Sequence, residues 1–200
     1  MLLAGEGSDD LGRWGKHPAY AEEGPGGVIE ALLLRIRATG WSVAEGVRWK
    51  TIRKYRAGAH ASAEARNVVG LALRARDLRC DAVAFVRDRD GDRDRERDLE
   101  NGIERARELF PALRIAGGVA IEEIEAWLLA IRGERGSESV TDPKGRLAER
   151  HGVDTGAAKI ACVEQASLDR LPDDARSLAL WIERARQALG GASGSTRPSP

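Results

Sequence analysis

The sequence predicts an α/β protein: a central parallel sheet flanked by helices, with a C-terminal helical extension. Three observations lead there. Short apolar runs rich in strand formers alternate with segments of helical spacing at intervals of roughly 30 residues, as in parallel β-α-β units. The run 82–86 is apolar at every position and bounded by charge, as befits a strand buried on both faces. Beyond Gly145 no strand-like run remains, and 146–150, 157–168 and 175–189 read as helix. The expected organisation is an α/β domain over 1–135, a helical extension over 136–189 packed on it, and a Gly/Ser/Pro-rich tail over 190–200 expected to be disordered.

Each element has its own signal. A first strand over 2–5 leads into Gly5-Glu6-Gly7-Ser8-Asp9-Asp10. Two glycines around one acid suggest a tight turn that leaves Glu6 at the sheet edge, and no third glycine completes a dinucleotide fingerprint. From 12 to 27, Gly and Pro punctuate a long loop in which Arg13 and Lys16 could meet a phosphate, while His17 has no visible partner. Val28, Ile29, Leu32, Leu33 and Ile36 share a helix face, and Gly40 ends that helix. A second strand is expected around 47–52. The stretch 48–56 holds five basic residues and no acid, with Trp49 and Tyr55 between them. Its Arg48, Lys50, Arg53 and Lys54 have the composition of a single-strand nucleic-acid contact, against the plainer alternative of a core strand with solvated basic residues. Ser62 can cap the next helix, which runs to Asp77.

The centre of the chain is Asp81-Ala-Val-Ala-Phe-Val-Arg-Asp-Arg-Asp-Gly-Asp92. Asp88 and Asp90, two apart on extended backbone, are expected to point the same way from the strand's carboxyl end, where open α/β sheets bind ligands. Two hard oxygen donors there suit Mg2+ with several of its waters retained. Between 87 and 98, six acids are nearly balanced by five arginines, so a solvated loop is the competing explanation. A calcium-binding helix–loop–helix is excluded: counted from Asp88, Gly comes fourth and Leu99 stands at the twelfth position. A helix over 95–110, closed by Pro111, and a strand over 113–120 follow. In Ile121-Glu122-Glu123-Ile124-Glu125-Ala126-Trp127-Leu128-Leu129-Ala130, Glu122 and Glu125 are expected to neighbour each other on one helix flank. Acids opening a helix suit its dipole; Glu125 can also enter the acidic cluster.

Composition narrows the function. With 32 basic and 32 acidic residues the net charge is zero, so no global field recruits nucleic acid or membrane and any such contact is local. Cys80 and Cys162 form neither metal spacing nor a disulfide framework, which fits a cytoplasmic setting. Residues 1–4 are too short for a signal core, and no apolar run approaches a membrane span.

A Glu just after the first strand and an Asp-x-Asp after the third resemble the TOPRIM fold of topoisomerases, primases and OLD-type nucleases. The resemblance implies that Glu6 acts as general acid or base and that Asp88 and Asp90 hold Mg2+. The string 124–130 together with Asp142-Pro143-Lys144 resembles a narrower group, TOPRIM-like bacterial proteins linked to mobile or phage-defence loci. The expected metal set is Asp88, Asp90 and Glu125, with Arg13, Lys16, Arg48, Lys50, Arg53, Lys54 and Arg87 set against phosphate. The expected function is a Mg2+-dependent nuclease or phosphoryl-transfer protein acting on nucleic acid. The chain departs from the narrower group at Ile131, where the group has an acid. That departure, together with a first motif, Gly5-Glu6-Gly7-Ser8-Asp9, less clean than the family's, motivates a second expectation: a non-catalytic module binding nucleotide or nucleic acid in a defence assembly, with a protein partner. The Asp-x-Asp-Gly pattern also resembles haloacid-dehalogenase-type phosphatases, but Asp92 and the mid-chain position argue against them.

Overall fold

The computed structural model describes residues 1–15, 26–55 and 61–190. Among these residues four strands, β1 (Leu2–Gly5), β2 (Glu45–Arg48), β3 (Ala82–Asp88) and β4 (Arg114–Ala120), form one sheet in the order β2-β1-β3-β4. All pairings are parallel, so the carboxyl ends of the strands share one edge. The helices are α1 (Ser8–Leu11), α2 (Val28–Ile36), α3 (Ala63–Asp77), α4 (Arg95–Leu109), α5 (Ile124–Ile131), α6 (Pro143–His151), α7 (Gly156–Glu164) and α8 (Arg176–Gly190).

The period-two alternation of the strands divides the core into two layers. Leu2, Ala4, Val83, Phe85, Ile115 and Val119 pack under α3 and α4 with Val68, Leu71, Leu99 and Ile103. Leu3, Ala84, Val86, Ala116 and Ala120 face the other way and join α2, α5, α7 and α8 through Leu32, Trp127, Val163, Trp181 and Ile182. Trp181 Nε1 donates to the Phe85 carbonyl at 2.9 Å and Arg184 Nη1 to that of Gly117 at 2.8 Å, which seats α8 on the sheet. The segment 136–189 therefore packs beside α2 and α5 in one of the two layers. Among the described residues no helix is long and apolar enough to cross a membrane.

Three expectations are corrected. The second strand is Glu45–Arg48, and the chain then enters a 3₁₀ turn at Trp49–Thr51. That turn buries Trp49 against Phe85, ring centroids 5.3 Å apart, with Nε1 donating to Glu64 at 2.7 Å. The helix after β4 begins at Ile124, because Glu122 adopts a left-handed φ of 64° and Glu123 is the extended N-cap. Glu122 and Glu125 thus do not share a helix flank; Glu122 pairs with Arg89 instead. The strand β3 ends at Asp88, and Asp90 has a left-handed φ of 47°, so the two aspartates do not project together. Lys16, most of the expected 12–27 loop and the tail beyond Gly190 lie outside the described residues.

Candidate functional site

The carboxyl edge of β1 and β3 gathers most of the expected acids. Glu6 directly follows β1, and its Oε1 accepts the Asp88 N–H across the adjacent strand at 3.0 Å. Arg87 closes the contact from the other side, its guanidinium paired with the same Glu6 oxygen. Asp88 turns inward, and the Ile124 N–H donates to its Oδ1 at 2.9 Å. Burial first, then the charges of Asp10, Glu125 and Asp90, push its carboxyl from 3.8 up to about 8 despite that hydrogen bond.

Asp10, to which the sequence reading assigned no role, forms the floor of the site. It is only 6% exposed, and its Oδ2 accepts the N–H of Glu6 at 2.7 Å and of Gly7 at 3.1 Å. Burial is the largest influence on it; with help from Glu125 and Asp9, and against the Gly7 N–H and Lys159, it raises the carboxyl from 3.8 to about 6. Gly5 makes room for this: a Cβ there would lie 2.7 Å from Asp10 Cβ. The available signal was an acid at the third position of α1 reaching back to the turn, a common capping arrangement.

Glu125 arrives from the first turn of α5 and is 6% exposed. Its partner is Lys159 of α7, 2% exposed, whose Nζ donates to Glu125 Oε1 at 2.6 Å and to Asp9 Oδ2 at 2.5 Å. Burial alone would lower the Lys159 pKa, but those hydrogen bonds outweigh it and the pKa is raised. Lys159 was missed as well. Its signal was positional: it shares the inward face of α7 with Cys162 and Val163.

The other expected residues serve different ends. Asp90 accepts from Arg95 Nη1 at 2.9 Å and lies 3.5 Å from Arg87. Glu64 stands between these arginines, 3.3 Å from Arg87 Nε and 3.4 Å from Arg95 Nε. Burial and the nearby Arg95 lower the Arg87 pKa. Arg13 is tied to Glu30 at 3.4 Å and lies over the Trp14 ring. Arg48, Lys50, Arg53 and Lys54 are exposed, and among the described residues none of them meets a carboxylate within salt-bridge distance. The Asp142-Pro143-Lys144 string opens α6, with Asp142 as the cap accepting the Gly145 N–H at 2.8 Å. The Lys144 charge also counters the upward shift of Glu123, which burial and Glu125 cause. In the string 124–130, Trp127 packs against Trp181 in a tilted arrangement, centroids 5.7 Å apart, and donates to Ser177 Oγ at 2.7 Å. That string is chiefly a core anchor that carries Glu125 to the edge.

Asp10, Asp88 and Glu125 offer only hard oxygens and share an excess of negative charge, which suits a cation such as Mg2+. As they stand, no group of three or more His, Cys, Asp or Glu among the described residues is arranged to hold a metal ion, so coordination requires side-chain rotation. Comparison with protein-family models, curated proteins and solved structures finds no match for this chain.

Proposed function

We propose that this protein is a TOPRIM-like, Mg2+-dependent nuclease or phosphoryl-transfer protein acting on nucleic acid. Asp88 carries the proposal. A carboxyl at the carboxyl end of a central strand, raised to about 8 by burial and by Asp10, Glu125 and Asp90, marks a place short of positive charge. Asp88, Asp10 and Glu125 would hold the ion. Bound there, a divalent ion supplies polarisation of a phosphoryl oxygen and an acidified water. Glu6 takes its contacts with Asp88 and Arg87 on Oε1, and Oε2 is assigned the proton of the nucleophile. Lys159 fixes Glu125 and Asp9 by hydrogen bonds. Arg87 and Arg95 stand beside the edge for the substrate's phosphates. The resemblance to TOPRIM-like bacterial proteins extends the proposal to genome defence in the cytoplasm. The test is a Mg2+-dependent cleavage assay on single-stranded and duplex substrates with wild type and D88A. Cleavage lost in D88A is expected; equal cleavage in both removes the assignment.

One observation favours a second reading, a non-catalytic module that binds nucleic acid or nucleotide. The edge already carries built-in cations, Lys159 between Asp9 and Glu125, and Arg87 and Arg95 on Glu6 and Asp90. Calorimetry with Mg2+ and an oligonucleotide separates the two: binding without turnover supports the module.

A further inference from the structure

We propose that the groove between β2 and α3 is a track for single-stranded nucleic acid, separate from the acidic edge and leading to it. The proposal rests on nucleic acid being the substrate. β2 is the edge strand of the sheet, so among the described residues no further strand covers its outer side. Two adjoining openings of ≈ 770 and ≈ 420 Å³ lie along it, both lined by Val47 and Arg74. The wall of the larger is apolar where Val47, Ile52 and Leu73 meet. Gly70 fixes that wall: a Cβ there would lie 2.2 Å from the Arg53 carbonyl oxygen, so the backbone after the Trp49–Thr51 turn sits directly on α3.

Charge and shape select the occupant. Arg53 and Lys54 border the larger opening and Arg48 the smaller, all exposed; Asp77 also lines the larger and Glu45 the smaller, the latter paired with Arg74, which lines both. Among the described residues none of Arg48, Arg53 and Lys54 meets a carboxylate, although Arg48 donates to the Gly15 carbonyl, whereas Arg87 and Arg95 are each shared among several carboxylates. Tyr55, 37% exposed, is the exposed large aromatic among the described residues and borders the same opening. Cationic side chains with an aromatic face and an apolar wall suit a strand whose bases are unstacked; a duplex hides its base faces. The groove also points at the site: Arg48 pairs in register with Gly5, the residue before Glu6.

Fluorescence anisotropy of a labelled oligothymidylate in EDTA tests this, with the R53A/K54A double variant, Y55A, Y55F and R107A on the solvent face of α4 as control. R53A/K54A is expected to reduce the salt slope of log K by ~1.4, about 0.7 for each charge removed. Y55A is expected to weaken binding roughly 5- to 150-fold through lost stacking, with Y55F close to wild type. R107A binds as wild type, a duplex of equal length binds more weakly, and thymidine monophosphate does not compete. Wild-type affinity in R53A/K54A and Y55A overturns the proposal, as does tighter duplex binding or full competition by the mononucleotide. Groove variants that weaken strand binding in a protein that cleaves nothing sustain the track and remove only the nuclease. Asp88-dependent cleavage with unaltered binding in the groove variants removes only the track.

Discussion

Replacing Asp88 with Asn separates the charge of the acidic edge from its shape. Asn keeps an oxygen acceptor for the Ile124 N–H and substitutes an amide for the protonated hydroxyl. Burial, followed by Asp10, Glu125 and Asp90, raises the Asp88 carboxyl from 3.8 to about 8. A carboxyl whose pKa is raised on folding binds its proton more tightly in the folded chain. Its stabilising contribution is therefore fully present below the unfolded value of 3.8 and is lost as pH climbs through about 8, levelling off above. A difference of about four units at ~1.4 kcal/mol each sets a ceiling near 6 kcal/mol, and relaxation and solvent access reduce that to about 2–4 kcal/mol. Urea unfolding in EDTA should find D88N more stable than wild type by that amount near pH ~8.5, and the two within about 1 kcal/mol near pH ~4.5. Mg2+ at a hundredfold excess over its dissociation constant should add about 2.7 kcal/mol to wild type at the higher pH and much less to D88N. A difference between the proteins that does not change with pH refutes the charge crowding inferred for the edge.

Two further substitutions probe the supports. K159M leaves Glu125 and Asp9 uncompensated and should cost about 3–5 kcal/mol in urea unfolding at neutral pH, with E125Q in the same chain recovering a large part of it. An equal loss in K159M and K159M/E125Q would show that packing rather than charge is at stake. G5A places a methyl group against Asp10, should cost about 1–3 kcal/mol, and should speed amide exchange at Glu6 and Gly7, whose N–H groups Asp10 holds. Unchanged exchange there would detach Gly5 from the placement of Asp10.

Much of this architecture was legible because it is periodic. The buried run of β3, the helical stripe of α2 and the amphipathic stripe of α8 each repeat a pattern that burial enforces. Glu6 and Asp88 were legible for a topological reason: acids at the carboxyl ends of two parallel strands fall on the same edge, and β1 and β3 proved adjacent. Asp90 was misread because the argument from extended backbone stops where the strand stops. Two residues past Asp88 the chain has already turned left-handed, delivering the carboxylate to Arg95. Asp10 and Lys159 were hidden differently. Asp10 looks like a helix-capping acid, which it also is. Lys159 meets Asp9 from 150 positions away, a contact that no local pattern contains.

The charge count at the edge bears on what the fold is for. Asp9, Asp10, Asp88 and Glu125 bring four carboxylates near one ammonium, that of Lys159. Arg87 and Arg95 do not make up the difference, since Glu6, Glu64 and Asp90 already draw on them. A scaffold that needed only stability could cut the excess from three negative charges to one with amides at positions 10 and 88, keeping acceptors for the same backbone N–H groups. Carboxylates instead leave two groups raised to about 6 and about 8, which must either take up protons or meet a cation. Placed at the carboxyl edge of a parallel sheet, with the exposed Arg48 at the end of the neighbouring strand, that imbalance favours a site that admits a divalent ion with an anionic substrate.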